Sequence, residues 1–174
     1  MGSSYLLKDE EIQYLSLLLG IIEAQHWQAF EYAMIKNPPA FQSFARAISQ
    51  SNELNGMTIL HACVRFDPPI EYVKFLLELV PEAPSCVDCL RRTPLHVAAG
   101  IRAGSPLIEL LAEAYPRACD VQDEDGKTPL HLACDGECEI FEGDDGSSPR
   151  DPPNHEVVRA LLRASPSSAP AGDR

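Results

Sequence analysis

The stretch TPLHVAA occupies residues 93–99, and a near copy, TPLHLAC, occupies 128–134. A more divergent version, TILHACV, occupies 58–64. The three begin at Thr58, Thr93 and Thr128, an interval of 35 residues both times. A self-similar period of about 20–50 residues marks a stack of like units, each too small to bury its own apolar face.

The period reaches beyond the heptads. Pro81 and Pro116 each fall 23 residues after the leading threonine, and the next threonine follows 12 residues later. In the third unit Pro166 comes 38 residues after Thr128, so that unit holds an insertion of 15 residues. Each unit reads as a threonine-led helix, a turn, a second helix, a proline stop and a connector. Thr93 and Thr128 precede Pro94 and Pro129. Threonine is a good N-cap, and proline at the first helical position loses no useful donor. Leu95 and Leu130 are then expected to point inward. Ala98, Ala99 and Ala133 are small enough for neighbouring helices to approach closely. Apolar residues recur at steps of three and four in IEYVKFLLEL (70–79), PLIELLAEA (106–114) and EVVRALLRA (156–164), the amphipathic pattern of the second helices.

These residues resemble the ankyrin repeat, whose signature runs D-x-x-G-x-T-P-L-H-x-A-A. The third unit fits through Asp123, Gly126, Thr128, Pro129, Leu130, His131 and Ala133. The second has Asp88, Thr93, Pro94, Leu95, His96, Ala98 and Ala99, with Arg91 in place of the glycine. The first has Gly56, Thr58, Leu60 and His61, with Glu53 for the aspartate and Ile59 for the proline. The resemblance covers residues 53–166. It implies an all-α solenoid of stacked helix-turn-helix units with β-turn fingers. The extra residues of each 35-residue unit are expected in the helix–helix turn, at RFDPP and GIRAGS. It also implies that His61, His96 and His131 are structural, each ring bonding its threonine hydroxyl and nearby backbone. A histidine repeated at a strict interval suits no single catalytic site.

Residues 9–36 continue the helical pattern without the heptad. DEEIQYLSLLLGIIEA places acids at the positive end of a first helix. HWQAFEYAMIKN supplies a second, stopped by Pro38-Pro39, and AFQSFARAISQ (40–50) a third in an enlarged connector. Trp27 and Phe30 are expected to pack on the first true repeat. The chain thus divides into a flexible start (1–8), an N-terminal helical cap or degenerate repeat (9–52), and repeats at 53–87, 88–122 and 123–166. The third repeat contains an insertion at 135–153, and a disordered tail (167–174) follows. No polar capping helix follows the last pair, so a longer array or a partner is expected to protect that end.

The insertion carries Asp135, Glu137, Glu139, Glu142, Asp144, Asp145 and Asp151 against Arg150, half of the chain's net charge of −12. Its glycine, serine and proline content predicts a loop, either simple surface decoration or an acidic contact for a basic partner. The net charge argues against nucleic-acid binding, since phosphate repels such a chain and no basic stripe compensates. No apolar run reaches the roughly 18 residues of a membrane span. YLSLLLGII (14–22) is half that length and lacks the basic flank of a secretory signal. The cytoplasm is therefore the expected setting, with the nucleus as the alternative, and Cys63, Cys86, Cys89, Cys119, Cys134 and Cys138 are expected to be reduced thiols.

Three tempting motifs fail. Gly126-Lys127-Thr128 ends like a phosphate-binding loop, but Val121 stands where that loop needs its first glycine. DVQDEDG (120–126) resembles a calcium loop, yet Val121 and Leu132 would fall at ligand positions. Cys86-x-x-Cys89 is half a zinc signature without a second half.

The expected function is that of a non-enzymatic scaffold or adaptor. It would bind another protein through a concave face of fingers and first helices, without cofactor or metal and as a monomer. By family analogy the contact residues are Ala62, Val97 and Leu132 on the first helices, Arg65, Phe66, Ile101 and Arg102 beyond them, and Leu90, Arg92, Glu124 and Lys127 on the fingers. Phe66, Val97, Ile101 and Leu132 are expected to form an apolar strip. The alternatives are a metal- or redox-responsive regulator using the cysteines, and the ankyrin portion of a larger signalling protein.

Overall fold

Nine α-helices run through the described residues of the computed structural model, which are 6–51, 53–135 and 154–165. They are α1 (Asp9–Glu23), α2 (Trp27–Lys36), α3 (Pro38–Gln50), α4 (Ile59–Val64), α5 (Ile70–Leu79), α6 (Pro94–Gly100), α7 (Ser105–Ala114), α8 (Pro129–Cys134) and α9 (His155–Ala164). No strand occurs among the described residues. The expected loop of the insertion lies outside them from residue 136 to 153, as do the start at 1–5 and the tail from 166 onward.

The helices form two rows. In the inner row α4, α6 and α8 stack side by side, with α1 against α4. In the outer row α5, α7 and α9 do the same, with α2 against α5. The helical solenoid expected from the 35-residue period is the observed architecture. The rows form because each inner helix is short, small-sided and apolar: all seven residues of α6 are buried. Outer helices contribute one face each, through Val73 and Leu76 on α5, Leu107, Ile108 and Leu111 on α7, and Val157 and Leu161 on α9.

Helix ends follow the local chemistry. Each inner helix starts after its threonine, and α4 and α6 end in tight turns to their outer helices. Asp67 and Arg102 occupy equivalent turn positions one period apart and both have positive φ, 44° and 60°. These are the turns RFDPP and GIRAGS, where the extra residues were expected. Pro38 and Pro39 do more than stop α2. They open α3, whose N-cap Asn37 accepts a hydrogen bond from the Ala40 amide at 3.3 Å. A proline lacks the N–H that continues a helix, yet has the φ that begins one. The third helix therefore starts two residues before its expected place.

Aromatic packing ties the first three helices to the repeats. The Trp27 ring stacks on Tyr72 of α5, with centroids 6.2 Å apart, and Phe30 meets Phe41 of α3 edge-on at 6.3 Å. Trp27 thus packs on the first repeat, while the ring contacts of Phe30 are with Trp27 and Phe41 within the first three helices. Leu95 is 1% exposed, as expected. Leu130, expected to be equally enclosed, is only half-buried, because no further repeat stacks on α8 among the described residues.

Candidate functional site

The fingers are turns built by an aspartate. Asp88 Oδ1 accepts from the amides of Leu90 at 2.9 Å and Arg92 at 2.8 Å. Asp123 Oδ1 accepts in the same way from Asp125 at 3.0 Å and Lys127 at 2.8 Å. Across each turn the aspartate amide donates to the carbonyl four residues on, Asp88 to Arg92 at 3.0 Å and Asp123 to Lys127 at 2.9 Å. This explains the aspartate of the repeated pattern: its short side chain reaches backbone amides that the turn would otherwise leave unpaired.

Neighbouring fingers are bonded to each other. The Cys89 amide donates to the Asn55 carbonyl at 2.8 Å, and the Glu124 amide to the Leu90 carbonyl at 3.0 Å. The approach is close enough that a Cβ built on Gly56 would stand 3.1 Å from the Cys89 nitrogen. Gly56 and Gly126 have φ of +78° and +75°, and Arg91 holds the equivalent left-handed position at +60°.

The motif histidines hold the inner helices to the fingers. Nδ1 of His61 accepts from the Thr58 amide at 3.0 Å and lies 2.9 Å from the Thr58 hydroxyl. His96 and His131 repeat this with Thr93 and Thr128. Nε2 of His61 donates to the Arg92 carbonyl at 3.0 Å, and that of His96 to the Lys127 carbonyl at 3.3 Å. Burial lowers the His61 pKa to about 4 and lowers that of His96 too, so both rings are neutral at pH 7. A ring with both nitrogens committed to structure has no lone pair to offer a substrate.

The expected contact residues divide into two groups. Arg65, Leu90 and Glu124 are exposed, and Ala62, Phe66, Ile101, Arg102 and Lys127 are half-buried. The Arg65 guanidinium lies 5.7 Å from the Phe66 ring centre, Arg102 donates to the Asp135 carbonyl at 3.4 Å, and Lys127 pairs with Asp135 at 2.9 Å. Val97 and Leu132 do not belong with them. They are 0% and 4% exposed, because the inner row is covered on more than one side, so the apolar strip expected from Phe66, Val97, Ile101 and Leu132 is not on the surface. Arg92 is a second correction. Its guanidinium turns inward to the Asp88 carboxylate at 2.7 Å, and the two side chains are only 12% and 1% exposed. It holds the finger rather than facing outward.

A separate concavity escaped the sequence reading. A cleft of about 770 Å³ lies between α1, α2 and α3, floored by Tyr14, Phe41 and Phe44 and rimmed by Glu11, Lys36 and Arg46. The Tyr14 ring meets Phe44 edge-on at 4.8 Å, and Arg46 is paired with Glu82. No periodic signal marks the cleft residues, which all precede the first repeated heptad.

Among the described residues no three of His, Cys, Asp and Glu converge to hold a metal, and no helix is long and apolar enough to cross a membrane. Cys86 is half-buried and its thiol is pushed up by burial and by Glu82. Cys63 is buried and its thiol is pushed well above the usual range, and Cys119 is raised to about 11.

Two family models match the chain: one of ankyrin repeats in three copies over residues 70–143, and one of a single ankyrin repeat over residues 125–170. No curated protein and no solved structure matches it.

Proposed function

From the premise that this chain belongs to the ankyrin-repeat family, we propose that it is a non-enzymatic scaffold that binds a partner protein across its fingers and inner-helix turns. Ankyrin repeats are in general protein–protein interaction modules. The observation that carries the proposal is the bonding of each finger to the next, Cys89 to Asn55 and Glu124 to Leu90. A surface already fixed in register loses little conformational entropy when a partner docks. The proposed contacts are Ala62, Arg65, Phe66, Leu90, Ile101, Arg102, Glu124 and Lys127, with Phe66 and Ile101 as apolar anchors beside arginines. Aromatic and arginine side chains of this kind dominate the energetics of protein interfaces.

We place this activity in the cytoplasm or nucleus. Burial keeps the raised Cys63 and Cys119 thiols protonated and unreactive. The same observation weakens the redox alternative, as does the raised Cys86 thiol. A thiol count and metal analysis on the purified chain would separate the two.

The test is affinity capture with the 174-residue chain beside a Phe66→Asp, Ile101→Asp double variant. Proteins retained by the first and lost from the equally folded second are expected. A capture profile that the double variant leaves unchanged would remove this face from consideration.

A further inference from the structure

Two hydrogen bonds recur at the interfaces between repeats. A histidine Nε2 meets a carbonyl 31 residues onward, His61 with Arg92 and His96 with Lys127. A finger carbonyl accepts from an amide 34 residues onward, Asn55 from Cys89 and Leu90 from Glu124. The tautomer of the ring is set by its other nitrogen. Because the threonine amide donates into Nδ1, the neutral ring carries its proton on Nε2, and Nε2 can only donate.

Repeat 3 prepares both bonds again. The Thr128 amide donates into His131 Nδ1 at 3.0 Å, so His131 Nε2 is a donor. Asp125 supplies the carbonyl equivalent to those of Asn55 and Leu90. Among the described residues nothing accepts from His131 Nε2, and nothing donates to the Asp125 carbonyl. The strict period would put their partners at residues 162 and 159, which the insertion has displaced into α9. The same finger carries the exposed carboxylates of Glu124 and Asp125, and Leu130 beside His131 is half-buried.

We propose that this end face binds an extended basic segment of a partner protein as an additional finger. One carbonyl of the segment accepts from His131 Nε2, and one of its amides donates to the Asp125 carbonyl. Its lysine or arginine side chains meet Glu124 and Asp125. This is strand addition at an open backbone edge, with charge selecting the sequence.

Charge decides between occupants. A second copy docking by a twofold axis through this finger would bring its own Glu124 and Asp125 against these. The chain's own insertion carries a net charge of −6 and meets the same repulsion. A segment of suitable chemistry is on view one interface earlier. Residues 88–100 cover repeat 1 through the Cys89 amide and the Arg92 carbonyl, and they carry the exposed Arg91. The end face shares only Glu124 with the surface proposed above and does not depend on it.

The probe is a synthetic peptide of residues 88–100 with Cys89→Ser, titrated into the full chain at low salt. Binding is read by fluorescence anisotropy of the labelled peptide and by the imidazole ¹⁵N and ¹H resonances. Saturable binding is expected, with the His131 Nε2–H resonance moving and those of His61 and His96 staying in place. Affinity should fall by about tenfold or more in three controls: an Arg91→Glu peptide, a peptide N-methylated at position 89, and a Glu124→Lys, Asp125→Lys protein. The Phe66→Asp, Ile101→Asp protein should bind the peptide unchanged. An unmoved His131 resonance, or binding indifferent to charge reversal, overturns the proposal. So does self-association of the chain through this face, which assigns it to a second copy. Binding that appears only after deletion of residues 137–151 also overturns it, by assigning the face to the insertion.

Discussion

Repeats 2 and 3 share a heptad and a finger, yet their side chains stand in different surroundings. Thr93, Leu95 and His96 are all buried, whereas Thr128 and Leu130 are half-buried and His131 is exposed. On the outer helices Ile108 and Ala112 are buried, whereas their counterparts Val158 and Leu162 are half-buried and 45% exposed. The local hydrogen bonds are the same in both: the histidine caps its own threonine whether or not a neighbour follows. The heptad thus encodes its own turn of helix, and the next unit supplies the burial. That is the nearest-neighbour energetics of a linear array.

Truncating the equivalent leucine in each repeat should separate the two units by the largest margin. Leu95→Ala removes a side chain enclosed between α4 and α8 and should cost about 2–5 kcal/mol. Leu130→Ala removes one already half in water and should cost about 1–2 kcal/mol, since the lost transfer term scales with the area that was buried. Urea melts of the two variants check this. Equal midpoints would mean that the two leucines are equally enclosed in solution and that repeat 3 is covered.

Acid should act on the interior of the array through its histidines. The His61 pKa is lowered to about 4 by burial, against about 6.5 in an unfolded chain. Between those values the unfolded state takes up a proton that the folded state does not, so stability falls as pH drops from about 6.5 to about 4 and is flat above that window. The loss attributable to this ring approaches about 3 kcal/mol at the acid end. His61→Gln keeps some hydrogen-bonding capacity but has no such titration. Its stability deficit relative to the parent should therefore shrink as pH falls through the window. Denaturant midpoints that run parallel for the two proteins would deny the ring its buried, neutral state.

These contrasts explain what the sequence could and could not tell. The inner and outer helices were legible because Thr-Pro starts, glycine-containing fingers and three-four apolar steps each have a local cause. Both ends of α5 were read correctly, and those of α7 and α9 to within one residue at their starts. Val97 and Leu132 were misread because a period shows which positions correspond but not how many neighbours surround a helix of six or seven residues. The inward turn of Arg92 had a signal, Asp88 four residues earlier. Lys127 holds the same place after Asp123 yet pairs through Nζ with Asp135, so that signal does not transfer between repeats. The end face was anticipated only as an end that a longer array or a partner protects; its donor and acceptor are backbone and ring atoms that no residue count displays.

The smallest effects lie in the fingers. Gly56→Ala and Gly126→Ala both force a side chain into the left-handed region, at about 1–2 kcal/mol of strain, partly offset by a stiffer unfolded chain. Only Gly56 has a neighbour in the way, the Cys89 nitrogen at 3.1 Å and the Asp88 carbonyl carbon at 3.2 Å, while a Cβ on Gly126 would meet nothing within 4 Å. Backbone cannot step aside as a flexible side chain does, so the variant at Gly56 should melt earlier than that at Gly126. The reverse order would show that the third finger is packed against something in solution. Arg91 supplies the opposite test. It holds φ +60° where the first and third fingers have glycine. Arg91→Gly relieves the strain of the left-handed position but loosens the unfolded chain, and the balance should raise stability by about 0.5–1 kcal/mol. A lowered midpoint would mean that the arginine side chain makes contacts worth more than its backbone strain, and the second finger would then differ from its neighbours by purpose rather than by drift.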